Sequence, residues 1–193
     1  MKTYSSLNEH QLIERYLNGD SYAFSFLVSR NKTKLFTSIY MLVKDEYLAE
    51  DIFQDVFIRI IESLKKGAYV ENGKFLSWAM RIAHNMCMDH FRKIKRKPII
   101  KTSDDTDIFE QYQFAEPAAD VKMMKLETDN NIKKAIDKLP ADQREMIILR
   151  HFADLSFREI ADLTNISINT ALGRMRYALI NIRKMLPEGQ LTS

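Results

Sequence analysis

A long helix-forming stretch ends at a proline and is followed by a strongly acidic segment, and this order limits how the chain can fold. Helical periodicity runs through residues 74–97, and Pro98 ends it because a proline lacks the amide proton and clashes with the preceding turn. Residues 99–120 then carry six acidic side chains against one lysine. A segment so charged favours a flexible tether. We therefore expect two small helical domains joined by an acidic linker.

Composition and compartment point to an all-helical cytoplasmic protein. Five glycines and four prolines, with few alternating β-branched runs, leave long stretches free to form helices. The net charge of +3 does not identify a partner. Only the distribution of charge along the chain can indicate one. One cysteine, Cys87, excludes an internal disulfide framework. We expect no signal peptide and no membrane insertion, because the polar start lacks an apolar core segment and no uncharged stretch could span a bilayer.

Local signals predict where several helices begin. Helical periodicity starts near Asn8, a second helix is predicted over residues 31–44, and Asp45 is a good N-cap for a third over residues 46–65. Residues 67–73 are predicted as a loop, and helical pattern returns near Met123. Pro140 marks another helix start, and Ser156 with Glu159 forms a capping box before an apolar run.

The segment from Ser156 to Lys184 predicts a helix-turn-helix, a device that reads the major groove of duplex DNA. Asn165 and Ile166 make the turn, and Ser167 caps the second helix. A helical wheel separates an apolar face from a polar one. The apolar face holds Ile168, Ala171, Leu172, Met175, Ala178, Leu179 and Ile182. The polar face holds Asn169, Thr170, Gly173, Arg176, Tyr177 and Lys184, with Arg174 at its flank. An ordinary surface helix of a bundle is the alternative interpretation.

The pattern of residues 74–97 predicts a helix with a surface that binds opened, single-stranded DNA. Its inward stripe is Phe75, Ala79, Ile82, Ala83 and Met86, and another face groups Trp78, Arg81, Asn85, Arg92 and Arg96. An aromatic ring stacks on an exposed base, and arginines neutralise phosphates. The alternative is that Trp78 packs in a core and the arginines are merely solvated.

Two further clusters of side chains suggest binding sites. The helix over residues 46–65 is predicted to bury Leu48, Ile52, Phe53, Val56 and Ile60 and to expose Asp51, Gln54, Asp55, Ile58 and Glu62. Such an acidic face with an apolar residue suits a basic partner helix, or is an ordinary solvated surface. His84, Cys87, Asp89 and His90 raise the possibility of a metal site, but no second ligand cluster with zinc spacing exists, so we expect no metal and no cofactor.

These features together resemble the sigma-70 family, specifically the small extracytoplasmic-function (ECF) sigma factors of bacterial RNA polymerase. The resemblance rests on AEDIFQDVFIRI, GKFLSWAMRIAHNMCMDHFRK and LPADQREMIILRHFADLSFREIADLTNISINTALGRMRYAL, in that order. It implies sigma region 2, a helical bundle, over residues 8–98, a linker over 99–122, sigma region 4 with its helix-turn-helix over 123–186, and a tail over 187–193.

The resemblance also implies partners and contact residues. Core RNA polymerase would be bound through its β′ clamp helices and β flap, with Asp51, Gln54, Asp55 and Ile58 at the clamp. The single non-template strand of the −10 element would meet Tyr69, Asn72, Lys74, Trp78, Arg81, Asn85, Arg92, Lys93 and Arg96. Duplex at the −35 element would meet Ser167, Asn169, Thr170, Gly173, Arg174, Arg176 and Tyr177. Many relatives are held by an anti-sigma factor, so such a partner is possible here.

One departure from the family pattern concerns the recognition helix. Family members often carry a basic residue near its start, whereas Ala171 and Leu172 are apolar here, so duplex contacts rest more on Asn169, Thr170, Arg174 and Arg176.

Three functions are compatible with these features to different degrees. The first is a transcription initiation factor that directs polymerase to promoters and promotes melting at the −10 element. The second is a two-domain repressor or activator that binds duplex independently and has no need for the acidic face or the Trp78 helix. The third is an enzyme such as a helical metallohydrolase, which the sequence disfavours because it lacks a ligand cluster, a nucleophile–base pair and a phosphate loop.

Overall fold

The computed structural model describes residues 4–69, 74–96 and 130–186, and every described element is helical. The chain divides into two compact units, residues 1–99 and 100–193. The expectation of two helical domains is thus confirmed. Predictions for Asn72, for the end at Pro98, for the linker, for Met123 and for the tail lie outside the described residues.

Within residues 4–69 and 74–96, the first unit contains four α-helices. A 3₁₀ turn, Tyr4–Ser6, precedes α1 (Glu9–Leu17), α2 (Ser21–Val43), α3 (Glu46–Lys65) and α4 (Phe75–Arg96). The helix α2 packs on each of the other three, and α3 also packs on α4. Their facing sides form one apolar core, whose fully buried large side chains are Leu12, Leu27, Leu35, Ile39, Val56, Ile60, Phe75 and Met80.

Side-chain caps start α1, α2 and α3, and the Asp45 cap of α3 is the one predicted from the sequence. Asn8 and Gln11 form a capping box on α1, and Asp45 accepts from the amide of Leu48 at 2.9 Å. One boundary was predicted wrongly: α2 begins at Ser21 rather than at residue 31. Asp20 caps it by accepting from the Ala23 amide, so the helix starts directly after the Gly19 turn and no glycine or proline interrupts it.

The second unit contains α5 (Asn130–Asp137), α6 (Ala141–Ile147), α7 (Phe157–Thr164) and α8 (Ile168–Met185), with a π-helical turn, Ile148–Phe152, after α6. The helix α8 lies at its centre and contacts α5, α6 and α7. The core between them buries Met146, Ile148, Leu149, Ile160, Ala171 and Ala178.

The turn between α7 and α8 has the geometry expected of a helix-turn-helix. Ser156 and Glu159 form the predicted capping box on α7. Asn165 ends that helix with φ of 56°, a left-handed conformation that asparagine adopts more readily than most residues. Ser167 then accepts from the amide of Thr170 at 3.0 Å and begins α8. None of the helices in the described ranges is long and apolar enough to cross a membrane.

Candidate nucleic-acid interface

The outward face of α3 carries the predicted docking residues together on one exposed surface. Asp51, Gln54, Asp55 and Glu62 are exposed, and Ile58 among them has 56% of its surface accessible. On the opposite side Ala49, Ile52, Val56, Ile60 and Leu64 are buried against the neighbouring helices. Leu48 and Phe53, predicted as buried, are half-buried. The helix is therefore anchored on one side and free to present an acidic, partly apolar surface on the other.

The face of α4 predicted to meet single-stranded DNA is open and basic over most of its length. Lys74, Arg81, Asn85, Arg92, Lys93 and Arg96 are all exposed. Arg92 donates to Asp89 at 2.7 Å, but both side chains are more than half exposed, so this pair leaves Arg92 able to exchange partners. Arg81 and Asn85 lie one turn apart on the same side of the helix. The structure thus groups cations and one amide along a single helix.

Trp78 is half-buried in a cluster of aromatic rings at the start of α4. Its ring centroid lies 4.7 Å from that of Tyr69 and 5.9 Å from that of Phe75, and the Tyr69 and Phe75 centroids are 6.2 Å apart. Phe75 is the buried member of the three. The indole therefore packs on protein, as one of the two interpretations of Trp78 expects, while its half-burial leaves part of its surface accessible.

The inward face of α4 is wider than the predicted stripe. Ile82 and Met86 are only half-buried, whereas Met80, His84 and Cys87 are buried. Burial raises the pKa of the Cys87 thiol to about 12, so it stays protonated and unreactive. Among the described residues, no group of three or more His, Cys, Asp or Glu side chains is arranged to hold a metal ion.

The recognition helix α8 exposes most of its predicted groove-facing side chains. Asn169, Thr170, Arg176 and Tyr177 are exposed, and Tyr177 has 62% of its surface accessible. The hydroxyls of Ser167 and Thr170 lie 2.8 Å apart, so they already serve the helix cap. A Cβ at Gly173 would meet no atom within 4 Å, so nothing in the described chain requires a glycine there.

Two features of α8 differ from the helical wheel. Ile168, Leu172 and Leu179 lie on the apolar face of the wheel, yet they are exposed at 45%, 45% and 54%. The helices α6 and α7 that pack on α8 with α5 are short, at seven and eight residues, and the buried residues of α8 are Ala171, Met175, Ala178 and Ile182. Arg174 is the other difference: its Nε lies 3.3 Å from an Asp142 carboxylate oxygen of α6, with the side chain 31% exposed.

Sequence reasoning missed one contact that bears on α4. The amide of Phe75, the first residue of α4, donates to the Glu9 carboxylate at 3.1 Å. Glu9 is the first residue of α1 and lies 66 positions earlier. No local motif signals a cap supplied from so far away, although a lysine at position 74, which cannot accept a hydrogen bond, hints that α4 obtains its cap elsewhere.

Comparisons with known proteins match both units to one family. Residues 27–97 match the family model for Sigma-70 region 2, and residues 129–176 match that for Sigma-70, region 4. The chain is 30% identical over 182 residues to the RNA polymerase sigma-H factor of Pseudomonas aeruginosa, covering 92% of the chain and 93% of the relative. It is 29% identical over 178 residues to the ECF RNA polymerase sigma factor SigW of Bacillus subtilis, covering 90% and 94%.

Solved structures share the fold. The sigma factor RpoE in complex with the anti-sigma factor NepR from Bartonella quintana aligns with a TM-score of 0.65 at 21% identity, covering 86% of this chain and 98% of that one. CnrH in complex with the cytosolic domain of CnrY aligns with a TM-score of 0.58 at 18% identity, covering 90% and 94%.

The two units, with an exposed basic helix in one and a helix-turn-helix in the other, define a DNA-binding protein built from sigma regions 2 and 4. The chain belongs to the extracytoplasmic-function (ECF) sigma factors of the sigma-70 family. It is a transcription initiation factor that acts with RNA polymerase at specific promoters, and it is not an enzyme.

Proposed function

We propose that this sigma factor uses three surfaces, one for polymerase and two for promoter DNA. The outward face of α3 is the surface that attaches it to polymerase. Asp51, Gln54, Asp55 and Ile58 would contact the β′ clamp helices of the core enzyme. The observation that carries this assignment is Ile58, an apolar side chain 56% accessible in the middle of exposed carboxylates. Apolar contact at the centre with charge around it is the usual composition of a protein interface.

The second surface is the basic side of α4, which would receive the non-template strand of the −10 element. The residues assigned to this contact are Tyr69, Asn72, Lys74, Trp78, Arg81, Asn85, Arg92, Lys93 and Arg96. Stacking on an aromatic ring contributes about 1–3 kcal/mol per base. A base that leaves the duplex costs a few kcal/mol, so a surface that rewards only the correct base turns that cost into selectivity.

The third surface is the exposed side of α8, which would bind duplex at the −35 element. Asn169 and Thr170 reach base edges, Arg174 and Arg176 reach guanine edges or phosphates, and Ser167, Gly173 and Tyr177 line the approach. The open space over Gly173 supports a close approach of the helix backbone to DNA. Region 4 would also lie against the β flap of the polymerase.

The mechanism needs no chemistry from this chain. Region 2, residues 8–98, anchors the factor on polymerase, while region 4, residues 123–186, binds upstream duplex. The acidic linker, residues 99–122, would cross the polymerase, where its charge suits a channel built for nucleic acid. Binding energy for unpaired bases then shifts the melting equilibrium towards the open state. The site of action is the cytoplasm, and an anti-sigma factor that covers the polymerase-binding surface is a further expected partner.

Capture of core polymerase tests this proposal. Immobilised wild-type chain should retain the enzyme, and Asp51→Arg/Asp55→Arg should lose it because two attractive contacts become repulsive. Glu14→Arg reverses an exposed charge on α1, off this face, and serves as the control. A repressor or activator that binds duplex independently would not retain polymerase in either form. Equal recovery by the wild type and the Asp51/Asp55 variant would contradict the assignment of α3.

A further inference from the structure

The first amide of α4 is satisfied by a residue from the other end of the domain. Phe75 N–H donates to the Glu9 carboxylate at 3.1 Å, and the first helical bond of α4 joins the Trp78 amide to the Lys74 carbonyl at 3.1 Å. The N-terminal amides of a helix have no partner within it, and a carboxylate is the strongest acceptor available to them. Glu9 therefore acts as a cap for α4 although it belongs to α1.

Glu9 is held firmly in this position. Asn8 accepts from the Gln11 amide at 2.8 Å, and Gln11 accepts from the Asn8 amide at 3.1 Å, so the first turn of α1 is closed on both sides. Leu12 and Ile13 of the same turn are buried in the core. The Glu9 carboxylate thus lies near the N-terminal ends of two helices, where both helix dipoles favour a negative charge.

The contact fixes more than one amide. Phe75 is 1% exposed, so its ring has one position in the core. Trp78 packs on that ring and on Tyr69, and the exposed Arg81 and Asn85 follow Trp78 by one and two helical turns. A shift of the first turn of α4 would therefore move the indole and the exposed side chains that share its face.

We propose that Glu9 is a positioning residue for promoter opening, acting through the Phe75 amide to hold Trp78 and the Asn85 face in register for an unpaired strand. The inference rests on the proposed function of α4. Residue 9 lies before the part of the chain that matches the region 2 family model, residues 27–97. The position of α4 would therefore depend on a residue outside that segment.

Trp78 provides a direct readout, since it is the only tryptophan in the sequence. In Glu9→Ala, Trp78 emission should shift to longer wavelength and acrylamide quenching should increase, because the first turn of α4 loosens. Glu9→Gln should stay close to wild type, since its amide oxygen can still accept from Phe75. Glu14→Ala removes an exposed carboxylate from the same helix and should leave Trp78 emission unchanged.

The functional readout uses full-length chain bound to core polymerase on promoter DNA. A charge-assisted hydrogen bond contributes on the order of a factor of ten, so Glu9→Ala should form roughly tenfold fewer open complexes while retaining core polymerase equally well. Glu9→Gln should recover most of the loss. Permanganate reactivity of unpaired thymines measures the open fraction.

Three outcomes overturn the inference. The first is that Glu9→Ala opens promoters as well as the wild type does and shows unchanged Trp78 emission. The second is an equal loss of polymerase binding, opening and thermal stability in both Glu9 variants, which would make the residue only structural. The third is failure of the wild type itself to open any promoter while it still binds polymerase. That outcome refutes the proposed role of α4, whereas the first leaves that role intact.

Discussion

Arg174 of the recognition helix is paired with Asp142 of α6, with 3.3 Å between the guanidinium Nε and a carboxylate oxygen. A side-chain hydrogen bond also joins the same two helices: Asn181 donates to Gln143 at 2.8 Å. The first turn of α6 therefore holds α8 at two levels. In the proposed complex with −35 duplex, the Asp142 carboxylate would compete with a DNA phosphate for Arg174 and would limit how strongly that arginine contributes to binding.

Replacing Asp142 by Asn should release Arg174 to the DNA. We expect an increase in upstream duplex affinity of at most about fivefold, the range of a partly exposed ion pair. The dependence of log affinity on log salt should steepen by about 0.9, the value for one added phosphate contact. Fluorescence anisotropy of polymerase-bound chain on −35 duplex measures both. In an Arg174→Ala background the Asp142 substitution should have no effect, and an identical response there would refute the competition.

Replacing Gly173 by Ala should separate stability from DNA binding. A Cβ at this position meets no atom within 4 Å, and alanine is favoured over glycine in a helix interior by about 1 kcal/mol. The variant should therefore unfold at higher denaturant concentration. It should nevertheless bind −35 duplex more weakly, because the added methyl group keeps the helix backbone from approaching DNA. A variant that is more stable and binds equally well would remove Gly173 from the interface.

Two isoleucines of α3 should respond in opposite ways to truncation. Ile58 is 56% accessible and Ile60 is fully buried, so they differ in environment but not in chemistry. Ile58→Ala should weaken polymerase capture and leave the denaturation midpoint almost unchanged. Ile60→Ala should reduce the free energy of unfolding by roughly 2–5 kcal/mol. Parallel chemical denaturation and polymerase capture measure the pair, and full capture by Ile58→Ala would argue against an apolar contact with the clamp.

Removal of the Asn85 amide should affect opening more than duplex binding. The side chain is exposed one turn after Arg81 and two turns after Trp78, on the face assigned to the unpaired strand. Permanganate footprinting of Asn85→Ala should show fewer reactive thymines at the −10 element, while upstream protection by region 4 stays unchanged. Asn18→Ala, which removes an exposed amide at the end of α1, is the matched control. Equal losses at both elements would contradict the division of labour between the two units.

Cys87 should be protected from alkylation and should make stability depend on alkaline pH. Burial raises its pKa from the usual 9.0 to about 12, so the folded thiol keeps its proton where the unfolded thiol loses it. The unfolded state then binds fewer protons, and stability falls from about pH 9 towards pH 12, by at most about 1.4 kcal/mol per pH unit. Between pH 8 and pH 11 the denaturation midpoint of the wild type should therefore fall relative to that of Cys87→Ala. Parallel curves, or rapid labelling of native chain at pH 8, would contradict this.

Contacts between residues three or four apart could be predicted from the sequence. The Asp45 cap, the Ser156–Glu159 capping box and the Ser167 cap depend on short-range hydrogen bonds whose donors and acceptors lie within one turn. The exposed sides of α3 and α4 could be predicted from helical periodicity for the same reason, since the spacing of residues along one helix fixes the direction in which each side chain points.

Contacts between helices could not be predicted in this way. Glu9 with Phe75 and Asp142 with Arg174 join residues far apart in the chain, and no repeat or motif records them. The exposure of Ile168 and Leu172 could not be predicted for a related reason. A helical wheel gives the direction of a side chain but not the length of the helices that must cover it.

The attachment of the first residues to α2 determines where this factor can be cut and recombined with relatives. The Arg30 guanidinium donates to the carbonyls of Leu7, Tyr4 and Ser5, and the Tyr4 hydroxyl lies 3.1 Å from the carboxylate of Asp20. A hybrid factor joined at residue 27 would keep the Tyr4–Asp20 bond within one parent but would take Arg30 and the three carbonyls it binds from different parents. Exchange of promoter specificity by gene fusion therefore has to transfer the first 26 residues together with α2 and α4, or replace both sides of each bond.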